Sequence, residues 1–173
     1  MLTPAQQKWV DHLSDTDKIK IFPYDPTVEE KFQKIKFEIQ SVIGTEFEIL
    51  HRGASALGIS GQKEIDIYIP MPAETIEELA PKMEVVFGKP KSVYVLERTK
   101  FIAKIDTTKI EIMLTNQKHQ SWIDGEKHFN YLKQNPEELE QYRKLKEDGD
   151  GVSVREYYRR KIEYINEILS KVR

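Results

Sequence analysis

Glu64 and Asp66 stand two residues apart in the alternating run Glu-Ile-Asp-Ile-Tyr-Ile, a spacing that on a β-strand turns both carboxylates to one face of the sheet. Paired carboxylates suit a divalent cation of the magnesium class, which completes its shell with water and substrate phosphate oxygens. A third acid is needed for phosphoryl or nucleotidyl transfer. Glu111, in Lys-Ile-Glu-Ile-Met-Leu, is the best placed, as a further ligand or as the base for an incoming hydroxyl, provided its strand neighbours the first. Glu64, Asp66 and Glu111 are therefore the candidate catalytic and metal-ligating residues, with Mg²⁺ the candidate cofactor. In a chain with 32% charged residues, an acid pair on an amphipathic strand also arises as ordinary solvated surface.

The segment before the strand is unusual in composition. Between residues 53 and 63 it holds Gly53, Gly58 and Gly61 with Ser55 and Ser60, and such a turn offers bare backbone N–H groups and hydroxyls to a phosphate. Gly53 and Ser55 are the candidate phosphate-holding residues, and Arg52 and Lys63 add positive charge on either side. A tight loop is the plainer reading of the same glycines. His51 at a strand end reads as a hydrogen-bonded structural residue, and His12, His119 and His128 have no metal-ligand spacing. The run Tyr157-Tyr-Arg-Arg-Lys161 suits a nucleotide base or phosphate, but a helix with a buried tyrosine face and solvated basic residues explains it more economically. The acids between Glu137 and Glu140 suit a helix's first turn without any function.

These residues need elements to position them. Thr3 to Leu13 reads as a short helix capped by Thr3 with Pro4 in its first turn. An extended segment with two prolines, from Ile19 to Thr27, leads into a helix with Val28, Phe32, Ile35, Ile39 and Val42 on one face, ended by Gly44. Strands are expected at Phe47 to Arg52, Glu64 to Ile69 (closed by Pro70), Ser92 to Leu96, Lys100 to Ile105 and Lys109 to Leu114, the last two joined by Asp106-Thr-Thr. Thr75-Ile-Glu-Glu, half of a capping box, is expected to open a helix ending near Gly88. From Ser121 on the pattern is helical, with breaks at Asn135-Pro136 and Asp148-Gly-Asp-Gly. The order is neither regularly alternating nor all-β, so an α+β fold is expected, a mixed sheet covered by helices with a helical C-terminal region.

The 173 residues, 39% of them hydrophobic, suit a single domain spanning 1–173, with residues 1–18 as an N-terminal helical extension and 121–173 as C-terminal helices. Twenty-seven basic against 29 acidic residues give a net charge of -2, which argues against a long nucleic-acid partner. The absence of cysteine excludes disulfides, thiolate metal sites and a cysteine nucleophile. The opening Met-Leu-Thr-Pro is too polar for a signal peptide, and no run approaches the roughly 20 apolar residues of a membrane span, so the expected location is cytoplasmic.

The run His51-Arg-Gly-Ala-Ser-Ala-Leu-Gly-Ile-Ser-Gly-Gln-Lys-Glu-Ile-Asp-Ile67 resembles the signature of the GrpB family, within the polymerase-beta-like nucleotidyltransferase superfamily. Ile21-Phe-Pro-Tyr-Asp-Pro is similar to that family's lead-in, and Tyr131-Leu-Lys-Gln-Asn-Pro-Glu, Tyr142, Leu145-Lys146, Tyr157 and Lys161 resemble its helical C-terminus; several ordered matches are more specific than one. The resemblance implies a nucleotidyltransferase-like fold, with Gly53 and Ser55 at the phosphates of a nucleoside triphosphate and Glu64, Asp66 and Glu111 at the metals. It implies transfer of a nucleotidyl group to a small-molecule or protein acceptor of unknown identity. Ala54 stands where the family usually has serine, and many members lack the first acid and carry histidine near Glu111. Three functions stay open at this point: the metal-dependent transferase, a non-catalytic nucleotide- or ligand-binding module on the same fold, and a docking surface for a partner enzyme.

Overall fold

The computed structural model describes residues 1–172. The chain divides into two compact units, residues 24–58 with 63–123 and residues 1–23 with 59–62 and Asp124 onward.

The first unit is built on a five-stranded mixed sheet. Its strands are β1 (Leu50–Arg52), β2 (Glu64–Met71), β3 (Ser92–Tyr94), β4 (Arg98–Ile105) and β5 (Thr108–Asn116), in the spatial order β1-β2-β5-β4-β3. Only β2 and β5 are parallel, and they lie side by side at the centre. Two helices belong to this unit in full beside a short third one. These are α2 (Val28–Ile43), α3 (Gly53–Ala56) and α4 (Ala73–Phe87). Alternation along β2 buries Ile65, Ile67, Ile69 and Met71, and β5 buries Ile110, Ile112 and Leu114 on the same face. Val28, Phe32, Ile35, Ile39 and Ile43 of α2 and Ile76, Leu79 and Met83 of α4 complete that core. Each such side chain removed from water contributes about 1.5–3 kcal/mol before entropy is counted.

The strand expected from Phe47 shortens to Leu50–Arg52. Leu50 pairs antiparallel with Tyr68, and continuing that register would set Glu48 opposite Pro70, which has no N–H to donate. For the same reason Pro70 does not end β2. With β1 already over, it lies where only β5 flanks the strand, and β2 runs on to Met71. Helix α4 begins two residues before the expected Thr75, with Pro72 as its N-cap and no capping side chain.

The second unit is helical: α1 (Pro4–Asp11), α5 (Gln120–Gln134, from residue 124 on), α6 (Pro136–Glu147) and α7 (Val154–Lys171). Thr3 and Gln6 form a complete capping box on α1. Ser153 caps α7 by accepting from the Glu156 N–H. The unit's interior holds Val10, Leu132, Tyr142, Tyr157, Ile168 and Leu169. Tyr142 stacks on Tyr164 at 5.5 Å, and the N-terminal segment joins it through a Lys18–Ser153 bridge and through Ile21 N–H donating to Asp150 at 2.8 Å. Among the described residues no helix is long and apolar enough to cross a membrane.

Candidate functional site

The face of the sheet opposite the core is where the acids emerge. The β2–β5 register sets Glu64 beside Lys109 and Asp66 beside Glu111, and parallel partners turn their side chains to the same face. Arg52 on β1 pairs with Asp66, and on β4 Ile102 and Lys104 pair with Glu111 and Lys109, with Lys100 two residues before Ile102. Glu64, Asp66 and Glu111 thus occupy adjacent positions of neighbouring strands, half-buried, with basic residues set among them. Farther along the face, Tyr68 lies against Trp122, ring centroids 5.5 Å apart.

Lysine dominates the electrostatics. The Lys109 ammonium lies 2.5 Å from Glu64 and 3.0 Å from Glu111, and Lys100 reaches Glu111 at 3.2 Å. Burial alone would lower the Lys109 pKa, but the hydrogen bonds to Glu64 and Glu111 outweigh it and raise it above the usual lysine range. Burial would likewise raise Glu111, yet Lys109 and Lys100 hold its carboxyl below the ordinary value. The acids are of the oxygen kind that magnesium takes. As the side chains stand, however, the point on which Glu64 and Glu111 converge is already held by an ammonium group. Among the described residues no three His, Cys, Asp or Glu side chains gather into a metal-binding group. The side chains therefore do not fit a metal without movement of Lys109.

The turn before β2 is tied to the acids by shape. Gly53 has φ +74°, and a Cβ built on it would collide with the Asp66 carboxylate. Glycine is needed there both for the backbone conformation and for the close approach. Ser55, in the short α3, is engaged elsewhere: its hydroxyl meets His51 Nε2 at 2.8 Å. His51 in turn stacks on Phe32 of α2, centroids 4.9 Å apart. Burial holds its pKa below the usual histidine value, against the opposing pull of Glu29. That fits the structural role expected for His51. Arg52 donates to the His51 carbonyl at 3.0 Å, and Lys63, at φ +62°, precedes β2 and accepts the Lys109 N–H at its carbonyl.

Sequence reasoning named Glu64, Asp66 and Glu111 but not Lys109 or Lys100. Lys109-Ile-Glu111 repeats the spacing of Glu64-Ile-Asp66, and that echo was the available signal; only the register turns it into contact. In the helical unit the expected basic and aromatic run divides. Tyr157 is fully buried, Tyr158 meets Trp9 edge-on at 5.5 Å, and Arg160 pairs with Glu156 at 2.7 Å.

The family model of the GrpB protein matches residues 18–171. A solved structure, the crystal structure of conserved protein GrpB from Enterococcus faecalis, is similar with a TM-score of 0.67 at 17% identity, covering 88% of this chain and 98% of that one. No curated protein matches the chain. The chain belongs to the GrpB family, and its mixed sheet with flanking helices is the fold of the Enterococcus protein.

Proposed function

We propose that this GrpB-family chain binds a nucleoside triphosphate over the half-exposed face of its sheet, as a recognition module without turnover. The observation that carries this reading is the Lys109 ammonium, held between Glu64 and Glu111 at 2.5 and 3.0 Å, where a metal would otherwise balance the acids. A triphosphate then meets fixed lysine charge in place of a metal ion: Lys109 and Lys100 on the face, Arg52 beside them, and Lys63 at the head of β2. The resemblance of the sequence around Gly53 and Glu64 to a family within the polymerase-beta-like nucleotidyltransferases supports a nucleotide as the ligand, and the engagement of Ser55 by His51 favours the form without catalysis.

A second reading is the metal-dependent nucleotidyltransferase, acting on a small-molecule or protein acceptor with Mg²⁺ on Glu64, Asp66 and Glu111. It is favoured by Gly53 packed against Asp66 and by the pairing of Asp66 with Glu111. Thermal melting with each of the four ribonucleoside triphosphates, in chelator and in Mg²⁺, together with mass spectrometry for products, separates the two. Recognition without turnover predicts a rise in melting temperature that survives chelation, disappears in Lys109→Gln and yields no product. A rise seen only with Mg²⁺, lost in Asp66→Asn and accompanied by a transferred nucleotidyl group, establishes the transferase instead. No rise with any triphosphate sinks both.

A further inference from the structure

One outer edge of the sheet is β3, last in the order β1-β2-β5-β4-β3, so among the described residues one side of its backbone has no strand to pair with. The side chains there are apolar in succession. Val93 and Tyr94 of β3, with Val95 and Leu96 of the turn to β4, are 58, 47, 81 and 64% exposed. Four consecutive apolar residues in water are a cost that an interaction surface explains. Leu96 also holds φ +62°, a turn conformation that glycine or asparagine adopts more easily. A large apolar side chain is thus kept at the tip of the turn against both strain and solvent.

Val93 pairs with Thr99, which pairs with the core residue Leu114, so Val93 lies on the face of the sheet that α4 covers. There α4 and the β3–β4 hairpin bound an open groove of about 290 Å³, with Ile76, Ala80 and Val93 in its apolar walls and Glu77 and Glu84 of α4 beside them. Both carboxylates are exposed, and among the described residues neither has a hydrogen-bond or ion-pair partner. The register sets them at opposite ends of the groove. β2 leads into α4 from Met71, which pairs with Asn116, and the β3–β4 turn ends at Arg98, which pairs with Thr115. Glu77, near the start of α4, therefore lies towards the turn end of β3, and Glu84 towards the start of β3. Lys89 and Lys91, just before β3, are exposed, and their ammonium groups are also unpaired.

We propose that a second copy of this chain docks on this edge, β3 pairing antiparallel with its counterpart about a two-fold axis at Val93 and continuing the sheet through both copies. The chain's own segment is the occupant because it supplies what the groove lacks. Antiparallel pairing carries the Lys89–Lys91 end of each β3 to the turn end of the other, where Glu77 is unpaired, and the two-fold repeats the contact. In that register the two Val93 side chains meet, and each Leu96 falls opposite the other copy's Pro90. Pro90 has no N–H to donate and ends the pairing there, so the shared ladder is short and the dimer is a weak, reversible one. The groove lies on the other face of the sheet from Lys109, and the dimer does not depend on the triphosphate reading.

The test is sedimentation velocity of the full chain from about 1 to about 300 µM, a range that spans the dissociation of a weak dimer. The expected result is a reversible monomer–dimer equilibrium whose Kd rises at least about tenfold in Val93→Lys, which sets two lysines together at the axis, and in Glu77→Lys. Combining Glu77→Lys with Lys91→Glu should return the Kd to within about threefold of the wild-type value, and Glu84→Lys, at the other end of the groove, should change it by no more than that. If Val93→Lys does not fold, Glu77→Lys, on the exposed surface of α4, carries the test. A wild-type chain that stays monomeric throughout overturns the proposal, even if a lysine-rich apolar peptide binds it. So does a dimer that Glu77→Lys leaves unchanged, or one that the double variant does not restore.

Discussion

On the sheet, Lys109 is 44% exposed at its side chain and has two carboxylates within 3.0 Å; in the helical unit, Lys146 is far more deeply buried and has a phenol oxygen and two rings. The first lysine is balanced within its own sheet, and removing it takes the ammonium from Glu64 and leaves Glu111 with Lys100 alone. The second has a phenol and two rings for partners, and removing it relieves a desolvation cost. Charged residues on one small protein can thus stabilise the fold at one place and oppose it at another.

The largest expected effect falls on the sheet side. Gly53→Val must adopt φ +74° and displace the Asp66 carboxylate, at a cost of about 3 kcal/mol or more. Gly58 also has positive φ, +70°, but a Cβ there meets nothing within 4 Å, so Gly58→Val should cost only about 1–2 kcal/mol. Equal losses in urea denaturation would remove the close approach to Asp66 from the account.

Next in size is the pH dependence of the helical unit. His128 titrates near about 4 in the folded chain and near about 6.5 when unfolded. Below the unfolded value the unfolded chain takes up a proton that the folded chain refuses, so stability declines as pH falls from about 6.5 towards 4. The expected loss is about 2 kcal/mol between about pH 6.5 and 5. Calorimetry on His128→Leu should show a shallower slope over that interval; an unchanged slope means the imidazole is not buried in its neutral form.

The two lysines give the sharpest contrast because their signs differ. Lys109→Met should lose about 1 kcal/mol, since Glu64 then loses its ammonium partner and Glu111 keeps only Lys100. Lys146→Met keeps the aliphatic stem in its aromatic surroundings and removes the buried charge, so it should be neutral or stabilising by up to about 1 kcal/mol. Matching signs in chemical denaturation would dissolve the comparison.

Much of this was legible in the sequence, and what escaped has physical reasons. Alternation alone turned Glu64 and Asp66 to one face, because side-chain direction on a strand follows from a period of two. The adjacency of Glu111 rests on parallel pairing between β2 and β5, strands separated by α4, β3 and β4, and no local pattern encodes so distant a pairing. Lys109 was visible as a residue but acquires meaning only through its register with Glu64. The early end of β1 depended on Pro70, a residue of the partner strand. Lys146 escaped because lysine is almost never buried, so periodicity assigns it to solvent by default; its burial is a product of α6 and α7 packing their tyrosines around it. The complete capping box of Thr3 and Gln6 and the arrest of α2 at Gly44 lie at the other extreme, decided by residues a few positions apart.

The most direct measurement of the central claim is calorimetric titration of the wild-type chain with a non-hydrolysable ATP analogue, once in chelator and once in Mg²⁺. With Lys109 as the resident cation, the two affinities should agree within about threefold, a difference of less than 1 kcal/mol. Binding that appears only when Mg²⁺ is present would contradict the account and return Glu64, Asp66 and Glu111 to the role of metal ligands.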